Sequence, residues 1–410
     1  MSIITITSIL VTCCAIFSYV NYRYIKLPTT IGIMVMALLS SAIIIMLPSM
    51  GVDILPVARD LMKNINFSET LLHGMLSFLL FAGALHVKWD TLKKQKYIVG
   101  FMALCGTVFS TFLVGLLVYH AFPLFGLEIE FIHALLFGAL ISPTDPIAVM
   151  AILRKAGVGE SLETKVVGES LLNDGVAVVV FLTVLSVANT GHAEFSHIAL
   201  LFAEEAIGGV VLGGVLGYIA FLMLRSVDNY QVEIFLTLAL VMGGYELAHY
   251  LHTSGPIAMV VAGLIVGNVG RALAMSDHTK ENLDNFWELV DEFLNAVLFM
   301  LIGLELLILP FDQNAFHAGL FMIPALLAIR YISVALPVSV GKKFRSFSPG
   351  AINILTWGGL RGGISVALVL SLPSSETRDI LLLVTYCIVM FSIIVQGLTI
   401  NKVAQRYNKE

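Results

Sequence analysis

The chain has 410 residues, of which 58% are hydrophobic and only 12% charged, with a mean hydropathy of +0.93. Soluble domains carry about a quarter charged residues, so the composition excludes a soluble enzyme or signalling domain and implies an all-α polytopic membrane protein. The formal net charge of −5 comes without any basic patch or zinc-type Cys/His spacing, so nucleic acid is not a partner. Cys13, Cys14, Cys105 and Cys387 all lie in apolar runs and read as small hydrophobes, not as disulfides or metal ligands.

Taken in chain order, apolar runs long enough to span a bilayer predict about thirteen helices. They cover 2–20, 29–48, 70–87, 98–121, 131–153, 163–188, 197–224, 231–250, 255–270, 290–309, 315–338, 350–371 and 379–400. The first lacks a basic leader and a small-residue cleavage site, and reads as a retained helix. The polar stretch from Ser276 to Leu289 reads as a segment lying along the membrane surface. One alternate set of loops, with the C-terminus, holds 18 of the 23 Lys and Arg residues, among them Arg23, Lys93, Lys94, Arg154, Lys155, Lys165, Arg271, Lys342, Lys343, Arg345 and Lys409. The other set holds only Arg59, Lys63 and Arg378, and Arg330 and Arg361 remain within the membrane. Basic loops face the cytoplasm, so the N-terminus is expected outside and the C-terminus in the cytoplasm. No long linker divides the chain, which is expected to form a single membrane domain over 1–410 with no soluble C-terminal domain.

Three of these segments carry chemistry. The fifth is interrupted by Ser142-Pro143-Thr144-Asp145-Pro146. Its prolines remove backbone donors and clash with the preceding turn, and non-helical backbone at membrane depth survives only where protein or a water-filled cavity satisfies it. A plain proline kink would not need Asp145, whose carboxylate can offset positive half-helix ends. The break also frees carbonyls, including that of Thr144, to bind a cation. The sixth segment carries Glu169-Ser170-Leu171-Leu172-Asn173-Asp174. Ser170 and Asp174 are four apart and share one helix face, and Glu169 and Asn173 share the next. Hard cations take oxygen ligands, so Asp174 with Ser170 is the expected ion- and proton-binding pair. The twelfth segment is interrupted at Gly358-Gly359-Leu360-Arg361-Gly362-Gly363. Arg361 needs a counter-ion there, and Glu169 is the expected partner. Asn173 is expected to hydrogen-bond Asp145 or the broken backbone. Interruptions in the fifth and twelfth segments, seven helices apart, indicate inverted repeats with a transport site at their interface.

Other polar residues carry less. Glu204 and Glu205 either line an entry funnel or meet solvent. Arg330 is expected to pair with a buried carboxylate or a helix C-terminus, Glu305 to be structural, and His249 and His252 to lie at the membrane interface.

Thr-Asp-Pro in a broken helix, Glu-Ser-x-x-Asn-Asp in the next and Gly-Gly-Leu-Arg-Gly-Gly in a late helix resemble the cation/proton antiporter-1 family. That family holds the prokaryotic NhaP-type proteins and the animal sodium/proton exchangers. The likeness extends to Leu27-Pro28-Thr29-Thr30-Ile31-Gly32 and Gly303-Leu304-Glu305. It implies a thirteen-helix fold with inverted repeats, a dimerisation domain, a mobile ion-binding core and a homodimer. It also implies an ion held by Asp174, Ser170 and the Thr144 carbonyl, a Glu169–Arg361 pair, and support of the crossing by Asp145 and Asn173. The Asn-Asp pair, where electrogenic relatives have two aspartates, implies electroneutral exchange. Several relatives carry a glutamate near the ion in a Phe-Glu-Gly run, and here that run is Phe81-Ala82-Gly83. A water or another group must replace it.

The expected function is therefore Na⁺/H⁺ antiport at the plasma membrane, in bacteria the inner membrane, with Li⁺ or K⁺ as further substrates and no cofactor. Antiport of K⁺ or an organic cation on the same fold is the alternative. An intramembrane aspartyl protease is a remote one, since Asp145 lacks a Tyr-Asp context and Asp174 a Gly-x-Gly-Asp context. A channel would need a selectivity filter, and no repeated filter sequence is present.

Overall fold

A computed structural model describes residues 3–145, 153, 159–191, 195–341 and 350–408. Among these the chain is helical, and its only β-type pairing is a single antiparallel bridge between Asp145 and Leu360. The helices are α1 (Ile4–Ile25), α2 (Thr29–Met50), α3 (Leu55–Lys63), α4 (Phe67–Leu85) and α5 (Trp89–Phe125). Then come α6 (Phe131–Ile141), α7 (Glu160–Thr190), α8 (Phe195–Arg225), α9 (Tyr230–Tyr250) and α10 (Gly255–Leu273). The last are α11 (Asp277–Leu304), α12 (Gln313–Gly341), α13 (Ala351–Trp357), α14 (Gly363–Leu370) and α15 (Glu376–Tyr407). Among the described residues, ten helices are long and apolar enough to cross a bilayer.

The remaining predicted spans take other forms. The fifth begins as α6, which stops at Ile141; Ser142 to Asp145 are not helical, and Pro146 lies outside the described residues. The twelfth is split into α13 and α14 by the non-helical stretch 358–362. The tenth is the second half of α11, and here one expectation is corrected. Ser276 to Leu289 does not form a separate surface segment: Ser276 caps α11, accepting from the Thr279 N–H, and the polar stretch runs on without a break into the apolar half. Its buried side is set by Leu283 and Trp287, four residues apart. Lys165 is also not a loop residue, because α7 starts at Glu160 and Lys165 lies buried in it. Helix α3 was not anticipated. It is amphipathic, and Arg59 ties it down by donating from Nε to the Leu307 carbonyl at 2.9 Å. Of the basic loop residues, Arg154, Lys155, Lys342, Lys343, Arg345 and Lys409 lie outside the described residues.

Lipid tails are as apolar as leucine, so helices in a bilayer associate through close packing of small residues instead of a hydrophobic driving force. Two packed groups result. In one, α5, α6 and α7 pack together, with α14 against α6, α15 and α12 against each other, and α13 against α12. In the other, α4, α10 and α8 form a row, and α11 packs against α2 and α4. Glycines set the spacing. A Cβ at Gly138 would stand 2.2 Å from the Thr111 carbonyl oxygen, and one at Gly267 2.3 Å from that of Leu85. Large apolar residues on the outer face of α8, such as Ile207, Val211, Val215 and Leu222, are exposed, as a lipid-facing surface requires.

Replacing Gly138 by Val should cost about 1–3 kcal/mol of packing. Thermal unfolding of the detergent-purified protein should show a clear loss of stability. Gly74→Ala, where an added Cβ meets nothing within 4 Å, should leave the transition unchanged.

Candidate ion-binding site

The centre of the protein is where the interrupted segment after α6 meets that between α13 and α14. Backbone groups released from both helices find partners in each other. The Asp145 N–H donates to the Leu360 carbonyl at 2.8 Å. The Arg361 guanidinium lies across the end of α6, donating from Nη1 to the Ser142 carbonyl and, at 2.9 Å, to the Pro143 carbonyl. A cation at a helix C-terminus also meets the negative end of its dipole. The Arg361 N–H donates to Ser392 Oγ at 2.8 Å, and Gln396 Nε2 donates to the Trp357 carbonyl at 3.0 Å. Ser142 returns its own hydroxyl to the Gly138 carbonyl at 2.6 Å.

Helix α7 supplies the side chains. Asn173 holds Thr144 by two bonds: its Oδ1 accepts from the Thr144 N–H at 3.3 Å, and its Nδ2 donates to Thr144 Oγ1 at 2.9 Å. Thr144 Oγ1 is also 3.0 Å from Ser170 Oγ. Ser170, Asn173, Glu169 and Thr144 are all buried. Asp174, one turn beyond Ser170, is 7% exposed, and among the described residues its carboxylate has no hydrogen-bond partner. The Asp145 charge acts on Asp174. An added Cβ at Gly362 would stand 2.4 Å from Asp145 Oδ2, so the glycine is what admits this carboxylate to the crossing.

One expected pair is replaced. Glu169 does not pair with Arg361. Its Oε1 lies 2.5 Å from Arg330 Nη1, which comes from α12. Arg361 instead spends its guanidinium on the two carbonyls of the broken fifth segment. Gly359 makes the exchange of partners possible, since a Cβ there would meet Arg330 Nε at 2.7 Å. Arg330, expected to pair with a buried carboxylate or a helix C-terminus, does so with Glu169, the acid expected to pair with Arg361. Ser392 and Gln396 were missed. Their signal was a polar pair at a spacing of four in the otherwise apolar thirteenth segment.

The outlying residues are placed as follows. Ala82 is fully buried among Phe81, Met259 and Trp287, with the Phe81 and Trp287 rings 4.8 Å apart. Glu305 is buried at the end of α11. Glu204 is exposed and Glu205 half-buried, with the Glu205 carbonyl accepting from the Ser254 N–H at 3.1 Å. His249 is exposed, its ring 5.5 Å from that of His73. Among the described residues no group of three His, Cys, Asp or Glu stands ready for a resident metal ion.

The sodium/hydrogen exchanger, transmembrane, family model matches residues 9–406. The Na⁺/H⁺ antiporter NhaP of Pseudomonas aeruginosa is 52% identical over 397 residues, covering 95% of this chain and 94% of that one. The Na⁺/H⁺ antiporter NhaH of Halobacillus dabanensis is 36% identical over 368 residues, covering 87% and 89%. The sodium proton antiporter MjNhaP1 from Methanocaldococcus jannaschii, solved at pH 8, superposes with a TM-score of 0.78 at 18% identity, over the whole of both chains, and so shares the fold.

Arg330→Gln should strand the Glu169 carboxylate in the membrane and cost about 3–5 kcal/mol. In a double-mutant cycle read by thermal unfolding, adding Glu169→Gln should recover much of this loss. The same Glu169→Gln change added to Arg361→Gln should recover little. Equal recovery in the two backgrounds would restore the Arg361 pairing.

Proposed function

The chain belongs to the sodium/hydrogen exchanger family, and from that premise we propose that it exchanges Na⁺ for H⁺, the two ions competing for the Asp174 carboxylate. The observation that carries the reading is the contrast between the two acids of α7. Glu169 has an arginine 2.5 Å away, whereas Asp174 is buried with no protein partner among the described residues. An uncompensated carboxylate in a low-dielectric site costs several kcal/mol. The site is therefore stable when Asp174 is neutralised, and either a proton or a monovalent cation can do this.

Exchange follows from that competition alone. If the helices around the crossing reorient only when Asp174 is neutral, each passage carries one ligand, and alternation of the two couples their gradients. Ser170 and the Thr144 carbonyl complete the Na⁺ ligands beside Asp174. Asn173 acts by fixing Thr144, through the bonds to its N–H and hydroxyl. Asp145 and Arg361 hold the crossing, and Glu169 with Arg330 forms a separate ion pair. Because Asn173 is uncharged, the site has one titratable ligand on α7, and exchange is electroneutral at one Na⁺ per H⁺.

The molecule works as a homodimer in a bacterial inner membrane, with its N-terminus outside and its C-terminus in the cytoplasm. The orientation rests on the concentration of Lys and Arg in alternate loops. The chain forms one membrane domain over 1–410 in which dimerisation and ion-binding parts interleave. K⁺ or an organic cation is the alternative cargo, kept open by Ala82, where the family resemblance implies a glutamate near the ion.

Reconstitution into liposomes with a trapped pH dye tests the reading. Na⁺, Li⁺ and K⁺ added in turn should each report whether the cation moves protons, and their ranking identifies the cargo. Asp174→Asn should abolish the response to all three. Full exchange by Asp174→Asn would contradict competition at this carboxylate.

A further inference from the structure

The face of α11 between Trp287 and Leu298 carries two polar residues, Asp291 and Asn295. Trp287, Asp291, Asn295 and Leu298 follow one another at helical spacing and share a face. Both ends of that face are anchored. Trp287 packs against Phe81, the residue next to Ala82. Leu298 lies against the start of α14, where a Cβ at Gly363 would meet its Cδ1 at 2.5 Å. Asp291 and Asn295 are thus held between the α4 contact and the crossing. By helical rise, Asn295 is about 4.5 Å and Asp291 about 10 Å along the axis from Leu298.

Their side chains are joined and incomplete. Asn295 is 1% exposed, and its Nδ2 donates to the Asp291 carbonyl at 2.8 Å and to Asp291 Oδ1 at 3.1 Å. The oxygen on the same amide, Asn295 Oδ1, is buried and has no hydrogen-bond partner among the described residues. A buried acceptor without a donor is costly, and native structures keep few of them without a reason. Asp291 is half-buried, and among the described residues no Lys or Arg pairs with it. The charges acting on it are all negative: Asp145 from the crossing, and Glu288 and Glu292 from its own helix. A carboxylate and a free amide oxygen on one wall, in a field of like negative charge, attract a small hard cation and repel anions.

We propose that Asp291 and the amide oxygen of Asn295 form a second site for the transported monovalent cation, a staging position on its way to Asp174. The cation exchanges part of its water for the Asp291 carboxylate, passes the Asn295 oxygen about one helical turn further on, and reaches the crossing already partly dehydrated. The inference rests on the exchange reading above.

The test is the Na⁺ dependence of proton movement in liposomes, for wild type, Asp291→Asn, Asp291→Glu, Asn295→Leu and Asp174→Asn. Asp291→Asn should raise the KM for Na⁺ roughly threefold to tenfold, with activity lost mainly at low Na⁺. Asp291→Glu, which keeps the charge, should restore most of the affinity. Asn295→Leu should raise the KM as well, although it removes an unpaired buried oxygen while keeping the side chain's branching. Should Asp291→Asn fail to yield a monodisperse protein, the Asn295→Leu KM decides. An unchanged KM and an unchanged ranking of Li⁺, Na⁺ and K⁺ in these variants would overturn the staging site and leave exchange at Asp174 standing. Absence of cation-driven proton movement in wild type would instead remove the exchange reading itself.

Discussion

Backbone groups at membrane depth have no water to turn to, and this one constraint organises the centre of the protein. Breaking the fifth and twelfth segments releases N–H and C=O groups where an unsatisfied one costs several kcal/mol. The bond from the Asp145 N–H to the Leu360 carbonyl joins the two breaks directly. The remaining groups are met from outside: Arg361 on the Ser142 and Pro143 carbonyls, Asn173 on the Thr144 N–H, and Ser392 on the Arg361 N–H. Four elements, α6, α7, the α13–α14 break and α15, are therefore locked into one arrangement by polar contacts, and the apolar surfaces pack around it.

The same contacts decide which charges are spent and which remain. Arg361 is consumed by carbonyls, so it does not serve Glu169. Arg330 reaches Glu169 from α12 across the space that Gly359 leaves open. Once both arginines are committed, Asp174 has no basic partner among the described residues, although it stands one turn from Ser170. A structural function for Asp174 would have needed one of those arginines. The division of labour between two acids five residues apart thus follows from which basic group each can reach.

Much of this was legible in the sequence because the expense of polar groups in lipid makes them conspicuous. Pro143, Thr144 and Asp145 in an apolar run announce an interruption, and the spacing of Ser170, Asn173 and Asp174 on one helix announces a shared purpose. Choice of partner was not legible. Glu169 had two buried arginines to choose from, and the choice depends on helix rotation and on the room left by Gly359, neither of which a hydropathy pattern contains. Ser392 and Gln396 are uncharged, and so stood out less than the acids. The polar stretch from Ser276 to Leu289 misled for a related reason. An amphipathic helix along a membrane and the solvated end of a long spanning helix share one pattern. The unbroken run of α11 from Asp277 to Leu304 and the burial of Trp287 against Phe81 separate them.

The central claim is that one carboxylate, Asp174, is neutralised in turn by a proton and by Na⁺. Its most direct test is the Na⁺ dissociation constant of the purified protein, measured by calorimetry across a range of pH. Competition for a single group predicts that, below the apparent protonation point, the dissociation constant rises about tenfold for each unit of falling pH. It also predicts that one proton is released per Na⁺ bound at this carboxylate and that Asp174→Asn loses this pH-dependent Na⁺ binding. A dissociation constant independent of pH, with no proton released, would contradict the account.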